Sequence, residues 1–267
     1  TSPPAHTRCR PASTTHPRVG TACSPPAPAT AAPSTPTGHE RGYQPLAARL
    51  RPATLEDYAG QQHILGPGKP LRQAIESNRL HSMIFWGPPG TGKTTIARLL
   101  AEYSDARFIT LSAVLSGVKD IRASIEQARQ FQGLTVLFVD EVHRFNKAQQ
   151  DLLLPDVESG DVRMIGATTH NPRYYIIDPL LSRCQLISLE AIPPDCIETA
   201  LESALNDSER GLGSRSCTAS KGTIKQIALL AEGDLRKGYN FIETIIEALP
   251  QESEITEEHI AGFCRTT

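Results

Sequence analysis

The chain has 267 residues, a formal net charge of −2, 39% hydrophobic residues and 21% charged residues. This composition allows a buried core in one or two domains and excludes the globally basic surface that signals nucleic-acid binding by charge alone. No apolar run reaches membrane-spanning length. The six cysteines form no C-x-x-C pair, so neither a zinc site nor a disulfide framework is indicated, and we expect reduced thiols in an intracellular protein.

Residues 1–45 are rich in Pro, Ser, Thr and Ala and poor in large apolar residues. Such a segment cannot bury enough surface to offset its ordering entropy, so we predict a disordered tail. Its arginines, with no acid before Glu40, resemble an organellar transit peptide, but its many prolines favour a Pro-rich tail. There is no apolar h-region of a secretory signal. We therefore expect the protein in the cytoplasm, nucleoid or nucleus.

Residues 46–192 alternate strand and helix patterns and are predicted to form an α/β domain. A turn-rich stretch and a helix from about residue 71 precede the first strand. The predicted strands are 83–86, 107–111, 135–139, 162–168 and 185–189. The predicted helices between them are 95–101, 118–130 and 146–157. This alternation predicts a parallel sheet with helices on both faces.

Residues 193–267 show only helical patterns, interrupted by a polar loop over 211–220. The predicted helices are 195–208, 221–232, 234–248 and 256–264. This half of the chain is predicted to be a small all-α second domain.

A glycine-rich segment with the form G-x-x-x-x-G-K-[ST] follows the first predicted strand and opens a helix. Its glycines let successive backbone N–H groups point into one concavity, and the dipole of the helix adds positive potential there. Lys93 is placed to reach the outer phosphates of a nucleoside triphosphate, and the Thr94 hydroxyl is a ligand for Mg²⁺. The predicted nucleotide-binding residues are Gly87, Pro88, Pro89, Gly90, Thr91, Gly92, Lys93, Thr94 and Thr95.

Two adjacent acids, Asp140 and Glu141, follow the buried strand 135–139. They would lie at the carboxyl edge of a parallel sheet, where open α/β sheets bind ligands. We predict that Asp140 binds nucleotide-associated Mg²⁺ and that Glu141 orients or deprotonates the attacking water. The alternative is an ordinary acidic loop after a strand.

Three further candidates for catalysis have weaker local signals. Thr169 directly follows the strand 162–168, and Thr168, the second choice, ends it. Either could touch the γ-phosphate or the water; the alternative is two β-formers finishing a strand. Arg183 precedes the last strand and could act as an arginine finger, in its own or a neighbouring subunit, or form only a surface salt bridge. Arg236 lies in the first turn of a predicted helix, where its positive charge opposes the helix dipole. It could reach back to a phosphate; the alternative is an ordinary exposed side chain.

These features together resemble an AAA+ ATPase, with 87–94 as Walker A, 136–141 as Walker B, Thr169 as sensor 1, Arg183 as finger and Arg236 as sensor 2. The match extends over about 46–265 to the replication-associated recombination protein A family, which includes the Werner-helicase-interacting ATPase. It includes the runs DEVHRFNKAQQD at 140–151 and IGATTHNP at 165–172. The other matching runs are 51–65, 80–95 and 117–122.

This resemblance implies a P-loop fold with an α-helical lid, ATP and Mg²⁺ as cofactors, and kinship with clamp loaders. It also implies DNA-stimulated ATP hydrolysis at stalled replication forks and single-strand/double-strand junctions, with replication proteins as partners. Members of the family are oligomeric. Their C-terminal oligomerisation domain has no counterpart in this sequence, so the resemblance does not carry assembly over to this chain.

Two other functions stay open at this point. A protein-remodelling motor of the same fold would use an aromatic pore loop after the second strand, and residues 113–117 contain no aromatic side chain. A nucleotide-dependent scaffold with little turnover is the other alternative.

The predicted helix 118–130 is the candidate DNA contact. Its apolar residues share one face, and steps of ~100° per residue gather Lys119, Arg122 and Arg129 on a stripe away from that face. The run 117–122 also resembles the segment with which clamp loaders follow a duplex backbone. The alternative is a solvated face on which Asp120 and Glu126 pair with these cations.

Overall fold

A computed structural model describes residues 43–77 and 79–264, so the predicted tail over 1–45 lies almost wholly outside the described residues. At the centre is a five-stranded sheet in the order β2-β3-β4-β1-β5, with every neighbouring pair parallel. Its strands are β1 Met83–Trp86, β2 Arg107–Ser112, β3 Thr135–Asp140, β4 Val162–Thr168 and β5 Gln185–Ser188. The predicted P-loop ATPase fold, with helices on both faces of a parallel sheet, is confirmed.

The strand sequences explain why both faces of the sheet are covered. In β3, Val136 and Phe138 pack into one apolar cluster, whereas Leu137 and Val139 pack into another on the opposite face. Successive side chains of a strand point to opposite faces, so a continuous apolar run suits a strand that is buried on both sides. The pairing places Trp86 beside Thr168, so that β1 and β4 end at the same edge. This edge carries the candidate site.

The helices that flank the strands follow the predicted order. Two short helices and one longer helix precede the sheet: α1 Leu46–Arg49, α2 Gln62–Leu65 and α3 Pro70–Glu76. The helices within the α/β part are α4 Lys93–Tyr103, α5 Val118–Arg129, α6 Lys147–Asp151, α7 Leu154–Ser159, α8 Pro172–Tyr175 and α9 Asp178–Leu181, with a 3₁₀ turn at Val142–Arg144. Within the described ranges, no helix is both long enough and apolar enough to cross a lipid bilayer.

The helix predicted over 146–157 is wrong in one respect, because the structure divides it into α6 and α7. Pro155 occupies one of the first two positions of α7. A proline inside a helix cannot donate the backbone hydrogen bond to the residue four positions earlier, and its ring clashes with that carbonyl. The prediction counted apolar positions and gave this proline too little weight.

The C-terminal part forms a separate apolar cluster built from four helices. These are α10 Pro194–Asn206, α11 Lys221–Leu230, α12 Leu235–Ala248 and α13 Glu257–Cys264, with a 3₁₀ turn at Gly213–Arg215. The expectation of helices alone is corrected by a parallel pair of two-residue strands, β6 Thr218–Ala219 and β7 Glu254–Ile255. Strands this short contain no period that a sequence pattern could reveal.

Helix α1 packs with this C-terminal cluster, although the predicted domain boundaries assigned residues 46–192 to the α/β part. The backbone N–H of Leu46 lies 3.0 Å from both carboxylate oxygens of Glu243, a buried residue of α12. The Arg49 guanidinium donates to the same carboxylate at 3.2 Å. A buried carboxylate requires such donors, so this contact fixes the start of the described chain against α12.

Candidate active site

A cavity of about 970 Å³ opens at the carboxyl edge of the sheet. Three parts of the chain line it: the segment 45–62, the loop between β1 and α4 with the ends of β3 and β4, and the helices α10 and α12. Its size is at the upper end of the range for small-molecule sites. Most of the residues that we predicted to contact nucleotide therefore lie on one surface, although they come from distant parts of the sequence.

The loop between β1 and α4 curls as a phosphate-binding nest requires. Gly90 and Gly92 have φ angles of +68° and +86°, a region that side chains with a Cβ rarely adopt. A Cβ on Gly90 would also collide with the carboxylate of Asp234, 1.7 Å away. Of the predicted residues, 89–95 line the cavity. Gly87 and Pro88 do not line it, but their carbonyls accept hydrogen bonds from Lys93.

Lys93 opens α4 and folds its side chain back over this loop. Its Nζ donates to the carbonyl oxygens of Gly87 at 2.9 Å and Pro88 at 2.6 Å. Burial lowers the pKa of this ammonium below its usual value, and the carboxylates of Asp140 and Glu141 counter part of that shift. The carbonyls thus hold a partly desolvated cation beside the nest, where an anionic oxygen could replace them as the partner.

Asp140 and Glu141 line the cavity at the end of β3. Glu141 has φ 56° and ψ 40°, a left-handed conformation that is uncommon for a residue with a side chain. The backbone therefore turns sharply at Glu141, directly after β3. Strain of this kind is often found at functional sites, where the surrounding structure enforces it.

The residues at this edge suit a nucleotide-associated Mg²⁺. The Thr94 hydroxyl and the Asp140 carboxylate line the same cavity, and both are oxygen ligands. Within residues 43–77 and 79–264, no group of three or more His, Cys, Asp or Glu side chains could hold a metal ion on its own. This donor set fits an ion that takes one or two protein ligands and completes its shell with phosphate oxygens and water.

The two threonines at the end of β4 have different surroundings. Thr169 lines the cavity, as its predicted role requires. Thr168 is fully buried, and its hydroxyl lies 2.9 Å from Nδ1 of His143 and 3.2 Å from the carbonyl oxygen of His170. The second choice for the sensor residue therefore does not face the cavity.

Two arginines add positive charge to the cavity wall. Arg236, from the first turn of α12, lines the cavity as expected, and Arg51 lines it from the N-terminal segment. Burial, followed by repulsion from Arg98 and Arg236, lowers the pKa of Arg51. Mutual repulsion among such cations is relieved when an anion binds between them.

Sequence reasoning did not assign Arg51 or Tyr58 to the site. Tyr58 lines the cavity, and its buried hydroxyl donates a 2.7 Å hydrogen bond to the carbonyl of Thr91. The available signal was that both residues fall in the stretch 51–65, which resembles the family. No local pattern gives them a role, because the contact with Thr91 spans 33 positions.

Arg183 lies outside this chain's own cavity. It follows α9, is exposed, and pairs with the carboxylate of Glu158. Its guanidinium also donates to the carbonyl of Pro179 at 2.6 Å and to the hydroxyl of Ser182 at 3.1 Å. A role in hydrolysis would therefore require a second subunit that presents its own nucleotide to this surface.

The three cations of α5 are all exposed, but their pairing differs. Arg129 forms a 2.7 Å ion pair with the buried carboxylate of Asp156. Its charge is therefore already paired, unlike the free charge that we predicted for the DNA-binding stripe. Across the part of the chain that the structure describes, Lys119 and Arg122 form no ion pair.

The expected partner acids of these two cations are engaged elsewhere. The carboxylate of Asp120 accepts from the Gly117 N–H at 2.7 Å, and that of Glu126 accepts from the Gln130 amide at 2.9 Å. Two of the three predicted DNA contacts thus remain available on this helix.

Comparison with known proteins identifies the class to which this site belongs. Residues 83–190 match the model of the ATPase family associated with various cellular activities (AAA). Over 208 residues the chain is 50% identical to Replication-associated recombination protein A of Escherichia coli (strain K12), covering 77% of this chain and 46% of that protein. It is 40% identical over 218 residues to the Bacillus subtilis (strain 168) protein of the same name, covering 81% and 51%.

A more distant relative is ATPase WRNIP1 of Dictyostelium discoideum, 39% identical over 221 residues that make up 82% of this chain and 25% of that protein. The chain spans about half the length of the bacterial relatives it matches. Among solved structures, the RuvB Holliday junction branch migration motor of Thermotoga maritima superposes with a TM-score of 0.67 at 23% identity, covering 82% of this chain and 73% of that one. At that identity the likeness supports the fold alone.

Proposed function

Because this chain belongs to the replication-associated recombination protein A family of AAA ATPases, we propose that it is a DNA-dependent ATPase of replication and recombination. The observation that carries the proposal is the convergence of Lys93, Glu141, Thr169 and Arg236 on one cavity around a phosphate-binding loop. Each of these residue types has a part in phosphoryl transfer, and the names of the relatives supply the biological setting.

ATP binding is assigned to the loop and to the cations around it. The backbone N–H groups of the nest and the Lys93 ammonium would hold the β- and γ-phosphates, with Thr94 and Asp140 holding Mg²⁺. When bound, the metal ion neutralises charge on the phosphate oxygens. Arg51 and Arg236, which also line the cavity, would offset the remaining negative charge.

Hydrolysis is assigned to Glu141. A water in line with the γ-phosphate bond would donate a hydrogen bond to its carboxylate, and Thr169 would orient the same water or a γ-phosphate oxygen. The position of Glu141 in the cavity, one residue after Asp140, supports this role. Attack of the water oxygen on phosphorus releases ADP and inorganic phosphate, and the proton of the water passes to the carboxylate.

Action on DNA is the finer part of the proposal. The exposed pair Lys119 and Arg122 on α5 supports it, because cations that form no ion pair within the described residues suit phosphate oxygens. Several chains would each add these two charges to one channel, so a chain with a net charge of −2 could still bind DNA. Single-strand/double-strand junctions at stalled forks are the substrate that we assign by family.

A protein-remodelling motor is the second candidate, supported by one observation. Val114 and Leu115, in the loop between β2 and α5, expose 64% and 85% of their surface. Exposed apolar residues of this kind could grip a polypeptide. Replacing Leu115 by Ser should leave DNA stimulation of the ATPase intact if DNA is the substrate, and should abolish substrate-stimulated turnover if an unfolded polypeptide is.

The central experiment measures ATP turnover with no DNA, with blunt duplex and with forked DNA, for the wild-type chain and for Glu141→Gln. We expect forked DNA to raise the wild-type rate several-fold and the variant to stay inactive under all three conditions. A wild-type rate that forked DNA leaves unchanged would contradict DNA dependence. Equal rates for wild type and variant would contradict the assignment of the site.

A further inference from the structure

A buried histidine lies directly behind the proposed water-activating carboxylate. His143 belongs to the 3₁₀ turn after β3, and its side chain is only 4% exposed. Its Nε2 atom is 3.3 Å from Oε2 of Glu141, and its Nδ1 atom is 2.9 Å from Oγ1 of Thr168. One ring thus bridges the end of β3 and the end of β4, the two strands that carry the candidate catalytic residues.

The ring is confined on its faces as well as at its two nitrogens. The centroid of the His170 ring lies 4.4 Å from that of His143, and the Tyr175 ring lies 5.8 Å away at an angle of 70°. Packing of this kind limits rotation of the imidazole. Burial, and secondarily repulsion from His170 and Arg144, lowers the pKa of His143 against the opposing effect of Glu141, so the ring is neutral near pH 7.

A neutral imidazole carries one proton, which can reside on either nitrogen. The buried Nε2 atom makes no well-aligned hydrogen bond, although Glu141 is within reach at 3.3 Å. A buried polar atom without a partner is costly, and a small rotation of the Glu141 side chain would supply one. The geometry therefore favours a polar coupling between these two residues over simple packing of the ring.

The Thr168 hydroxyl decides which nitrogen carries the proton. Its single hydrogen can be donated to Nδ1 of His143 at 2.9 Å or to the carbonyl of His170 at 3.2 Å. In the first arrangement the ring proton must be on Nε2, which donates to Glu141 and holds its carboxylate. In the second arrangement Nδ1–H donates to Thr168, and the lone pair of Nε2 faces Glu141 and repels it.

We propose that His143 is a positioning residue that holds or releases Glu141 according to the hydrogen bond made by Thr168. Thr169 is the next residue and lines the nucleotide cavity. A shift of Thr169 toward a bound γ-phosphate moves the Thr168 hydroxyl and the His170 carbonyl with it, and the ring changes tautomer. The Nε2–H form then donates to Glu141 and holds its carboxylate toward the water, whereas the Nδ1–H form leaves the carboxylate released. The inference rests on the proposed hydrolysis by Glu141.

Two amide variants of His143 test the roles of the two ring nitrogens separately. His143→Gln keeps a donor near the position of Nε2, whereas His143→Asn keeps a polar atom only near Nδ1. We expect His143→Asn to lower kcat roughly tenfold or more, which is less than the about 10²–10⁴-fold that a general base supplies, with KM and affinity for a non-hydrolysable ATP analogue unchanged. His143→Gln should retain most of the activity.

Thr168→Val completes a double-mutant cycle. It should lower kcat in the wild-type background and have no further effect in the His143→Asn background, because both changes remove the same coupling. Additive losses, or equal losses in His143→Asn and His143→Gln, would overturn the inference. If thermal unfolding shows that His143→Asn does not fold, Thr168→Val with His143→Gln decides it: wild-type kcat in Thr168→Val would then overturn the coupling.

A readout that does not depend on turnover distinguishes this inference from the proposed function. Nitrogen-15 NMR of the imidazoles reports the tautomer of each histidine directly, and the signal of His143 is identified by its absence in His143→Gln. We expect the Nδ1–H form in the free protein and the Nε2–H form after addition of the ATP analogue with Mg²⁺. A tautomer change without turnover would support the coupling and contradict the ATPase assignment. Turnover with an unchanged tautomer would overturn the coupling alone.

Discussion

The hydroxyl of Tyr58 donates a 2.7 Å hydrogen bond to the carbonyl of Thr91, in the middle of the phosphate-binding loop. The phenol also stands against Gly92, where a Cβ would lie 2.1 Å from its oxygen. Burial raises the pKa of this phenol, so it remains a donor across the accessible pH range. The shape of the loop therefore depends on a residue that precedes it by 33 positions.

Replacing Tyr58 by Phe should loosen this loop without changing the volume of the side chain. The buried Thr91 carbonyl would lose its donor, which costs about 1–3 kcal/mol. We expect a lower midpoint of urea unfolding and a few-fold weaker binding of a non-hydrolysable ATP analogue by calorimetry. Tyr239, which also lines the cavity and is buried, provides the matched Tyr→Phe control. Equal effects of the two variants would contradict a specific role for Tyr58.

Replacing Glu141 by Gln should preserve ATP binding and nearly abolish turnover. The amide has the size of the carboxylate but cannot accept the proton of the water, and a general base is worth about 10²–10⁴-fold. Single-turnover hydrolysis and analogue affinity should be measured on the same preparation. Glu258→Gln, on an exposed residue of α13 outside the cavity, is the control for an amide substitution. Near-normal turnover in Glu141→Gln would exclude Glu141 as the base.

Replacing Lys93 by Ala should reduce affinity for the nucleotide itself, because it deletes the ammonium that the nest holds beside the phosphates. Lys225→Ala removes an exposed lysine of α11 and serves as the charge-matched control. Calorimetric titration with the ATP analogue checks the expectation. An affinity that equals that of the control would mean that Lys93 does not bind phosphate.

Mixing Arg183→Ala chains with Lys93→Ala chains should restore part of the ATPase activity. Arg183 lies outside its own cavity, so a finger role requires a neighbour, and a mixed oligomer contains interfaces with one intact P-loop and one intact finger. The control mixes Lys93→Ala with Glu141→Gln, whose defects belong to the same site and should not complement each other. Absence of rescue at concentrations where sedimentation detects oligomers would contradict action in trans.

Replacing Lys119 and Arg122 together by Ala should weaken DNA binding and DNA-stimulated turnover and leave the basal rate unchanged. Removing one cation that binds a phosphate lowers the salt slope of binding by about one unit, so the slope of the double variant should fall by about two. Arg129→Ala is the control on the same helix: its charge is already paired with the buried Asp156, so it should lower the unfolding temperature and leave the slope unchanged. An unchanged slope in the double variant would place the DNA site elsewhere.

The sequence allowed prediction of the parts of the site that are set by local chemistry. The phosphate-binding loop follows from its glycines and its place between a strand and a helix. The positions of Asp140 and Thr169 follow from the rule that parallel strands end at a common edge. These inferences need only the identity of a few neighbouring residues and the direction of the strands.

The parts that depend on long-range packing could not be predicted. The ion pair between Arg129 and Asp156 joins positions 27 residues apart, and no pattern within α5 distinguishes Arg129 from the other cations on its stripe. Arg51 reaches the cavity because the segment around it crosses between the sheet and the C-terminal helices. Such contacts arise from the three-dimensional path of the chain, which hydrophobic periodicity does not encode.

The docking of Leu46 on Glu243 has a mechanical consequence. The short segment that follows α1 is anchored at one end on the C-terminal helices and at the other on the phosphate-binding loop, through Tyr58. Leu50 also packs in the helical cluster, so only eight residue steps separate the two anchors, a reach of roughly 30 Å at full extension. The segment is a tether of limited length. If the C-terminal helices move away from the sheet, this segment must first become fully extended. Further movement then pulls, through Tyr58, on the carbonyl of Thr91 in the phosphate-binding loop.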